Sequence, residues 1–379
     1  MSGASGSIWK VRSWSAPLAR VDAGWTAIES WLCGALLMAE IAALCAWVLF
    51  RGFSTEHSGG DVSGVVLRSL VGAVIIGSLA NVCARRFIAP RSKSGATWFV
   101  TIAVMLGVAA GPLWANVGVG YFSNLLNWLQ NASTLMLVGG LRGVATRLTL
   151  CLALIGASLA TAKGKHINID VMMRFLSPNL RVPVAVAGWL AAAVVCVAAV
   201  WGFFDYIAIE SFKAPASQPC AGDESAMCDT PPREKFSIVG RGVGHDLFLL
   251  GRQVSLDLRT IPHVVRGDRY DQYMTGGEWN EWLASADWSS QFGQDEVASL
   301  LVASDDLSQM HSPAVIVPGG GESARGLLVR DLNFVFPVGL LIIAVRFLLR
   351  SLLALGGQVS VDPDAVHGDD DIPVSGVMS

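Results

Sequence analysis

Apolar runs long enough to cross a lipid bilayer are the feature that most constrains how this chain can fold. They cover residues 25–50, 67–84, 97–117, 135–162, 182–206 and 332–355. A helix needs about 20 apolar residues to cross the hydrocarbon layer. Only 15% of the residues are charged, whereas about a quarter are charged in ordinary soluble domains. The sequence therefore predicts an all-α integral membrane protein with six transmembrane helices, and it excludes an ordinary soluble protein.

The basic residues predict the orientation of these helices. Cytoplasmic loops carry an excess of Lys and Arg. Three basic clusters fall on one side, before the first run, after the second, and between the fourth and fifth: Lys10, Arg12 and Arg20; Arg85, Arg86, Arg91 and Lys93; Lys163, Lys165, Arg174 and Arg181. We therefore expect both termini in the cytoplasm and the long segment before the last helix on the outer side.

The composition along the chain predicts five regions. A polar arm (1–24) that lies in the cytoplasm or on the membrane surface precedes a membrane domain (25–206) with five helices. An outer segment (207–330) comes before the last transmembrane helix (331–355). The tail (356–379) is polar and acidic, and we expect it to be disordered.

The outer segment differs in composition from the rest of the chain. Its apolar periodicity is weak, so we expect much of it to become ordered only against partners, with the glycine-rich stretch 318–326 as a flexible lead into the last helix. Cys220 and Cys228 are the two cysteines in polar sequence, and an oxidising compartment favours a disulfide between them, although two free thiols remain an alternative. Between the third and fourth runs, residues 118–133 space their apolar side chains as an interfacial helix does, with a plain loop as the alternative.

Residues that could perform chemistry are sparse. His166 and Asp170 lie four positions apart after the fourth run, but a zinc site needs three or four ligands and no further His or Cys has ligand spacing nearby. No catalytic set, cofactor motif or nucleic-acid-binding pattern is recognisable, so we expect no enzyme activity, no cofactor and no metal. Glu29 and Glu40 are the candidate intramembrane acids, which are too few for a self-sufficient ion-coupled transporter.

The stretch from Leu152 to Arg181 resembles a known family. Gly156, His166, Asp170, Pro178 and Arg181 match the signature of the small membrane subunit (DctQ-type) of tripartite ATP-independent periplasmic (TRAP) transporters, together with Ala157, Ile167 and Ile169. Further similarity lies in the first run, at Glu29, Trp31 and Arg51, and in the last run, at Arg346.

The resemblance implies a scaffold in a bacterial inner membrane. In this family a large permease subunit moves the solute, often a carboxylate, by sodium coupling, and a soluble periplasmic binding protein delivers it. The residues that carry the resemblance are then candidates for the partner interface, and membrane lipid is the other expected contact. The family usually has four helices, so 67–84 and 97–117 are an inserted pair, and the long outer segment is atypical.

Two other classes of function remain open from the sequence. A membrane-anchored sensor or redox module would use the outer segment as its working part, and the isolated segment would then bind a ligand. An independent channel or carrier would move a solute when reconstituted without partners.

Overall fold

A computed structural model describes residues 12–55, 63–88, 92–114, 116–163, 176–220, 223–318 and 324–359. Within these ranges the protein is predominantly helical. The helices in chain order are α1 (Ser15–Ser54), α2 (Ser63–Cys83), α3 (Lys93–Ala110), α4 (Val119–Asn131), α5 (Gly140–Lys163), α6 (Pro178–Tyr206), α7 (Pro232–Arg266), α8 (Gly276–Ala284), α9 (Gln294–Ala298), α10 (Val329–Leu332) and α11 (Val335–Leu355). Four short strands form two antiparallel pairs: β1 (Ser217–Cys220) with β2 (Asp223–Asp229), and β3 (Met274–Thr275) with β4 (Met310–His311).

Six helical stretches of the described chain are long and apolar enough to cross a membrane, which confirms the prediction of an all-α multi-span protein. They contain α1, α2, α3, α5, α6 and α11. Short π or 3-10 turns continue three of them, namely Ala84–Ile88 after α2, Gly111–Trp114 after α3 and Ile207–Ser211 after α6.

The boundaries differ most from the predicted ones at two places. Helix α1 begins at Ser15, so residues 15–24, which we assigned to a polar arm, form its first turns. The fourth span begins later than expected, because Thr134–Val138 forms a 3-10 turn and α5 starts at Gly140. Gly139 and Gly140 have φ angles of +91° and +77°, which side chains with a Cβ rarely adopt, so the chain changes direction there. The tail beyond residue 359 lies outside the described residues.

The chain divides into two compact units, and α1, α5 and α7 each contribute residues to both. The first unit contains residues 1–40, 146–240 and 330–379. Within it α6 packs along α11, where Phe203 stacks on Phe336 at 5.4 Å between ring centroids. Gly339 of α11 faces Leu154 of α5 so closely that a Cβ would lie 2.7 Å from Leu154 Cδ1. Small residues of this kind let membrane helices approach each other.

The second unit contains residues 41–145 and 241–329. Helices α2 and α3 form a tight pair, since a Cβ on Gly72 would lie 2.6 Å from the Gly107 carbonyl oxygen. The outer part of this unit has its own hydrophobic core around Trp279, Trp282 and Trp288, which are at most 3% exposed. The expectation that the outer segment orders only against partners is therefore wrong for its described residues. Three tryptophans bury enough apolar area to form a core that the weak sequence periodicity does not reveal.

Candidate functional site

The first unit contains a buried cluster of charges that links the two ends of the chain. The Arg346 guanidinium of α11 donates to Glu29 Oε2 at 2.7 Å and to Asp22 Oδ1 at 2.5 Å, both on α1. The Arg346 side chain is fully buried and that of Glu29 is 6% exposed. A charge inside an apolar environment is costly unless it is paired, so this pairing requires the two helices to stay together. We call Asp22, Glu29 and Arg346 the charge clasp.

Neutral polar groups complete the bonding of the charge clasp. The remaining Glu29 oxygen, Oε1, accepts from Trp25 Nε1 and from Ser158 Oγ, each at 2.7 Å. The Arg346 guanidinium also lies over the Trp25 ring, 4.9 Å from its centroid. Because Ser158 belongs to α5, the cluster joins three helices, and both carboxylate oxygens of Glu29 are satisfied.

A second arginine one turn further along α11 holds the end of α5. Arg350 donates to the carbonyl oxygens of Thr161, at 2.9 Å, and Ala162. These carbonyls lie in the last turn of α5, where a helix lacks internal partners and carries partial negative charge. The guanidinium also lies 5.1 Å from the Trp189 ring centroid of α6. Arg350 thus fixes the helix end that leads directly into the segment with His166.

The residues that carried the family resemblance lie in different parts of the structure. Glu29 and Arg346 are brought together, although they are 317 positions apart. His166 and Asp170 lie outside the described residues. At the far end of the same connector, Pro178 is the first residue of α6, and Arg181 Nε donates to the Leu176 carbonyl at 3.3 Å.

The other candidates lie on α1 and α5, and two of them are exposed. Trp31 is 72% exposed on the apolar surface of α1, and Arg51 is exposed near the end of that helix. Gly156 is partly buried in α5, and a Cβ there would meet nothing within 4 Å. Glu40, the second intramembrane acid, accepts a hydrogen bond from Thr149 at 2.7 Å and so also links α1 to α5.

In the second unit the buried Arg68 binds backbone carbonyls, and no carboxylate pairs with it among the residues that the structure describes. Arg68 of α2 is fully buried and donates to the carbonyls of Gly52 and Phe53, at 3.2 and 2.9 Å, and of Val117, at 3.4 Å. Gly52 and Phe53 lie in the last turn of α1, whose carbonyls lack helical partners. Sequence reasoning missed Arg68, because nothing local indicates that distant carbonyls converge on it.

A buried amide forms the polar centre of the outer part of this unit. Gln253 of α7 donates to the Ala132 carbonyl at 2.9 Å and accepts from the Val315 amide at 2.9 Å. Asp257, one turn on, accepts from Gln253 at 3.0 Å and from the Thr134 amide at 2.7 Å. We call Gln253 and Asp257 the amide centre. It fixes the backbone that leads into α5.

The backbone that precedes α5 is also hydrogen-bonded to residues at the end of the glycine-rich stretch and just after it. The amides of Gly326 and Leu328 donate to the carbonyls of Met136 and Leu137, each at 2.9 Å. The expectation of a flexible lead is therefore wrong for residues 324–326, which are tied down, while residues 319–323 lie outside the described residues.

Helix α4 is present where the sequence predicts a helix, but its aromatic residues divide between two environments. Trp128 is buried and packs with Ala132 against Val264 of α7, whereas Tyr121 is 38% exposed. Residues of the outer segment therefore cover Trp128.

The β1–β2 hairpin and the β3–β4 pair carry the remaining chemical features of the outer segment. The structure joins Cys220 and Cys228 in a disulfide, with a Cα–Cα distance of 5.1 Å. His311 packs on Trp279 at 4.4 Å between ring centroids, and burial lowers the pKa of His311 below its usual value. Among the described residues, no group of three or more His, Cys, Asp or Glu side chains could hold a metal ion.

The central part of the chain is similar to a known protein family. Residues 137–220 match the family model of the tripartite ATP-independent periplasmic transporters, DctQ component. The match confirms the resemblance over α5, the connector, α6 and strand β1, which is less than a quarter of the chain. It supports a small membrane component of a TRAP transporter. No curated protein and no solved structure matches the chain.

Proposed function

We propose that this protein is the small membrane subunit of a TRAP-type secondary transporter, and that it scaffolds a large permease subunit rather than moving solute itself. The observation that carries the proposal is the family match over residues 137–220, in a chain with six candidate membrane spans. The permease would perform sodium-coupled uptake, and a periplasmic binding protein would deliver the solute, a small carboxylate-type molecule.

The arrangement of charges in the first unit supports a scaffolding role. The buried acid Glu29 is fully engaged by Arg346, Trp25 and Ser158, so it joins helices and has no oxygen left for an ion. Arg350 holds the end of α5 beside the connector that carries the family signature. The polar groups of these helices therefore hold α1, α5 and α11 together.

The exposed apolar surface of α1 fits a partner or lipid. Trp31, Met38 and Ile28 are each more than 60% exposed on this helix. We infer that the permease covers part of this surface within the inner membrane, with both termini of the chain in the cytoplasm. The outer segment, which has a core of its own, would then provide a docking surface for the binding protein.

Purification of the tagged chain from its native membrane in mild detergent tests this proposal. We expect a large multispanning permease to elute with it at a fixed ratio. The test variant is Trp31→Glu, which places a charge on the exposed face of α1, and the unchanged chain is its control. We expect Trp31→Glu to lower the permease yield without removing the chain from the membrane. A chain that elutes alone, and that moves a solute against its gradient in liposomes, would refute the proposal.

A further inference from the structure

Helix α7 carries apolar side chains on its exposed face as well as on its buried face. The buried face contains Leu249 and Leu256 together with the polar Gln253 and Thr260. Its exposed face carries an apolar stripe of five side chains that are 41–69% exposed: Leu247, Val254, Leu258, Ile261 and Val265. We call these five residues the apolar seam. Gly244 and Gly251, which are also exposed, continue it in the same register. An apolar stripe left exposed in this way indicates a surface that contacts something other than water.

The spacing of the apolar seam is regular. Its members from Val254 onward follow one another by four, three and four residues, which keeps them on one side of a helix. The charged residues that flank the seam and are exposed between 241 and 266 are all arginines: Arg241, Arg259 and Arg266. A helix with an apolar face and a basic rim is typical of helices that lie in the interface of an anionic membrane.

Contacts at the C-terminal end of α7 connect it to the membrane boundary. Tyr121 of α4 donates to the Val265 carbonyl at 3.3 Å, and Asn124 donates to the Asp268 carbonyl at 2.8 Å. Helix α4 itself begins shortly after the third candidate span, which ends at Trp114, and its Phe122 stacks at 4.8 Å on Phe53 at the end of α1.

The N-terminal turns of the same helix contact a membrane span as well. Lys235 pairs with Asp205 at 2.5 Å, and Phe236 stacks on Phe204 at 4.1 Å, close to the end of α6. Each end of α7 is therefore joined, within its own unit, to the end of a candidate membrane span. The N-terminal turns contact α6 directly, and the C-terminal end contacts α4, which in turn contacts the end of α1.

We propose that the apolar seam of α7 lies in the outer leaflet of the bilayer, with its side chains among the upper acyl chains and its arginine rim at anionic phospholipid headgroups. The occupant is the membrane itself, since the helix is tied to the span ends and its rim complements phosphatidylglycerol. The outer segment would then rest on the bilayer along α7, which fixes its orientation for any soluble partner.

Site-directed spin labelling of the full chain tests this inference. The five cysteines outside the disulfide are first replaced by Ala: Cys33, Cys45, Cys83, Cys151 and Cys196. Single cysteines are then introduced as Val254→Cys or Leu258→Cys in the seam, and as Asp305→Cys at an exposed control position in the outer segment. The chain is placed in nanodiscs that contain phosphatidylethanolamine and phosphatidylglycerol, one chain per disc. Accessibility of each label to oxygen and to a water-soluble nickel chelate is measured.

We expect the ratio of oxygen accessibility to nickel-chelate accessibility to be several-fold higher for both seam labels than for the Asp305→Cys label. This ratio should place the seam labels about 5–10 Å below the headgroups. Adding Arg241→Gln and Arg266→Gln should make the seam labels shallower in phosphatidylglycerol discs and leave them unchanged in discs of neutral lipid only. An equal change in both lipids would overturn the role of the arginine rim.

Three other results would overturn the inference. Seam labels as accessible to the nickel chelate as the control label would show that the seam faces water, and protection that appears only after the large permease is added would assign the seam to a protein helix. Dipolar broadening between labels that appears only with two chains per disc would assign it to a second copy. Labels at both Val254→Cys and Leu258→Cys must give the same result, so that a disturbance of the helix by one substitution is not mistaken for a change in depth.

Discussion

Two buried polar centres, one in each unit, show two different ways of holding this chain together. The charge clasp of the first unit is ionic, with Arg346 between Asp22 and Glu29. The amide centre of the second unit binds backbone groups instead, through Gln253 and its neighbour Asp257. The first joins membrane helices and the second joins irregular segments of the outer part.

The difference reflects the solvent around each centre. Apolar side chains gain little when membrane helices associate, because lipid is equally apolar, so polar contacts and close packing specify which helices meet. In the outer part, the hydrophobic effect buries Trp279 and Trp282. The buried polar side chains there only need to hydrogen-bond the backbone groups that this burial removes from water. The comparison predicts that the ionic centre is the more costly of the two to break.

The largest expected effect is that of Arg346→Gln. This change leaves Glu29 and Asp22 buried or partly buried without a cation, which costs about 3–5 kcal/mol for a buried pair that loses one partner. We expect a lower midpoint of thermal unfolding in detergent and loss of contact between α1 and α11. Arg51→Gln, at an exposed position of α1, is the control and should leave the midpoint nearly unchanged. Equal midpoints for the two variants would show that the charge clasp does not stabilise the unit.

A smaller effect is expected for Gln253→Leu. The new side chain is similar in size, but it leaves the Ala132 carbonyl and the Val315 amide without a partner, at a cost of about 1–3 kcal/mol. Limited proteolysis should then cleave the outer part faster. Gln294→Leu, which is exposed, should match the wild-type rate. If Gln253→Leu were as destabilising as Arg346→Gln, the contrast between the two centres would be lost.

The smallest effect concerns pH. Because burial holds the pKa of His311 below its usual value, the unfolded chain takes up a proton at a higher pH than the folded one. The contribution of His311 is therefore fully present above about pH 6.5 and is lost as the pH falls toward the lowered pKa. His311→Phe keeps the ring on Trp279 and removes the titration, so its unfolding midpoint should fall less than the wild-type midpoint between pH 8 and pH 5. Parallel curves would contradict this assignment.

The sequence predicted the membrane part well and the polar centres poorly. Length and hydropathy are local properties, so the six spans were predicted close to their observed positions, except where Gly139 and Gly140 delay α5. Glu29 and Arg346 were selected one by one through the family resemblance. Their pairing was not predicted, since the two residues lie at opposite ends of the chain.

Other features had no local signal at all. Asp22 lay in a stretch interpreted as a polar arm, and Arg350 and Ser158 gave no pattern in sequence, because their roles arise only when α1, α5 and α11 meet. The core of the outer part was missed for a related reason. Its tryptophans come from short elements, α8 and the turn after it, which are too short to show a helical or strand period.

The most direct test of the account is the amount of large permease that co-purifies with the charge-clasp variant. We expect Arg346→Gln to stay in the membrane at the wild-type level but to retain much less permease, because α1 and α5 no longer present a fixed surface. Arg20→Gln, at an exposed position of α1 that is not an interface candidate, is the control and should retain the wild-type amount. Full retention of the permease by Arg346→Gln, together with the lower unfolding midpoint, would show that the charge clasp stabilises the chain without shaping the surface that binds its partner.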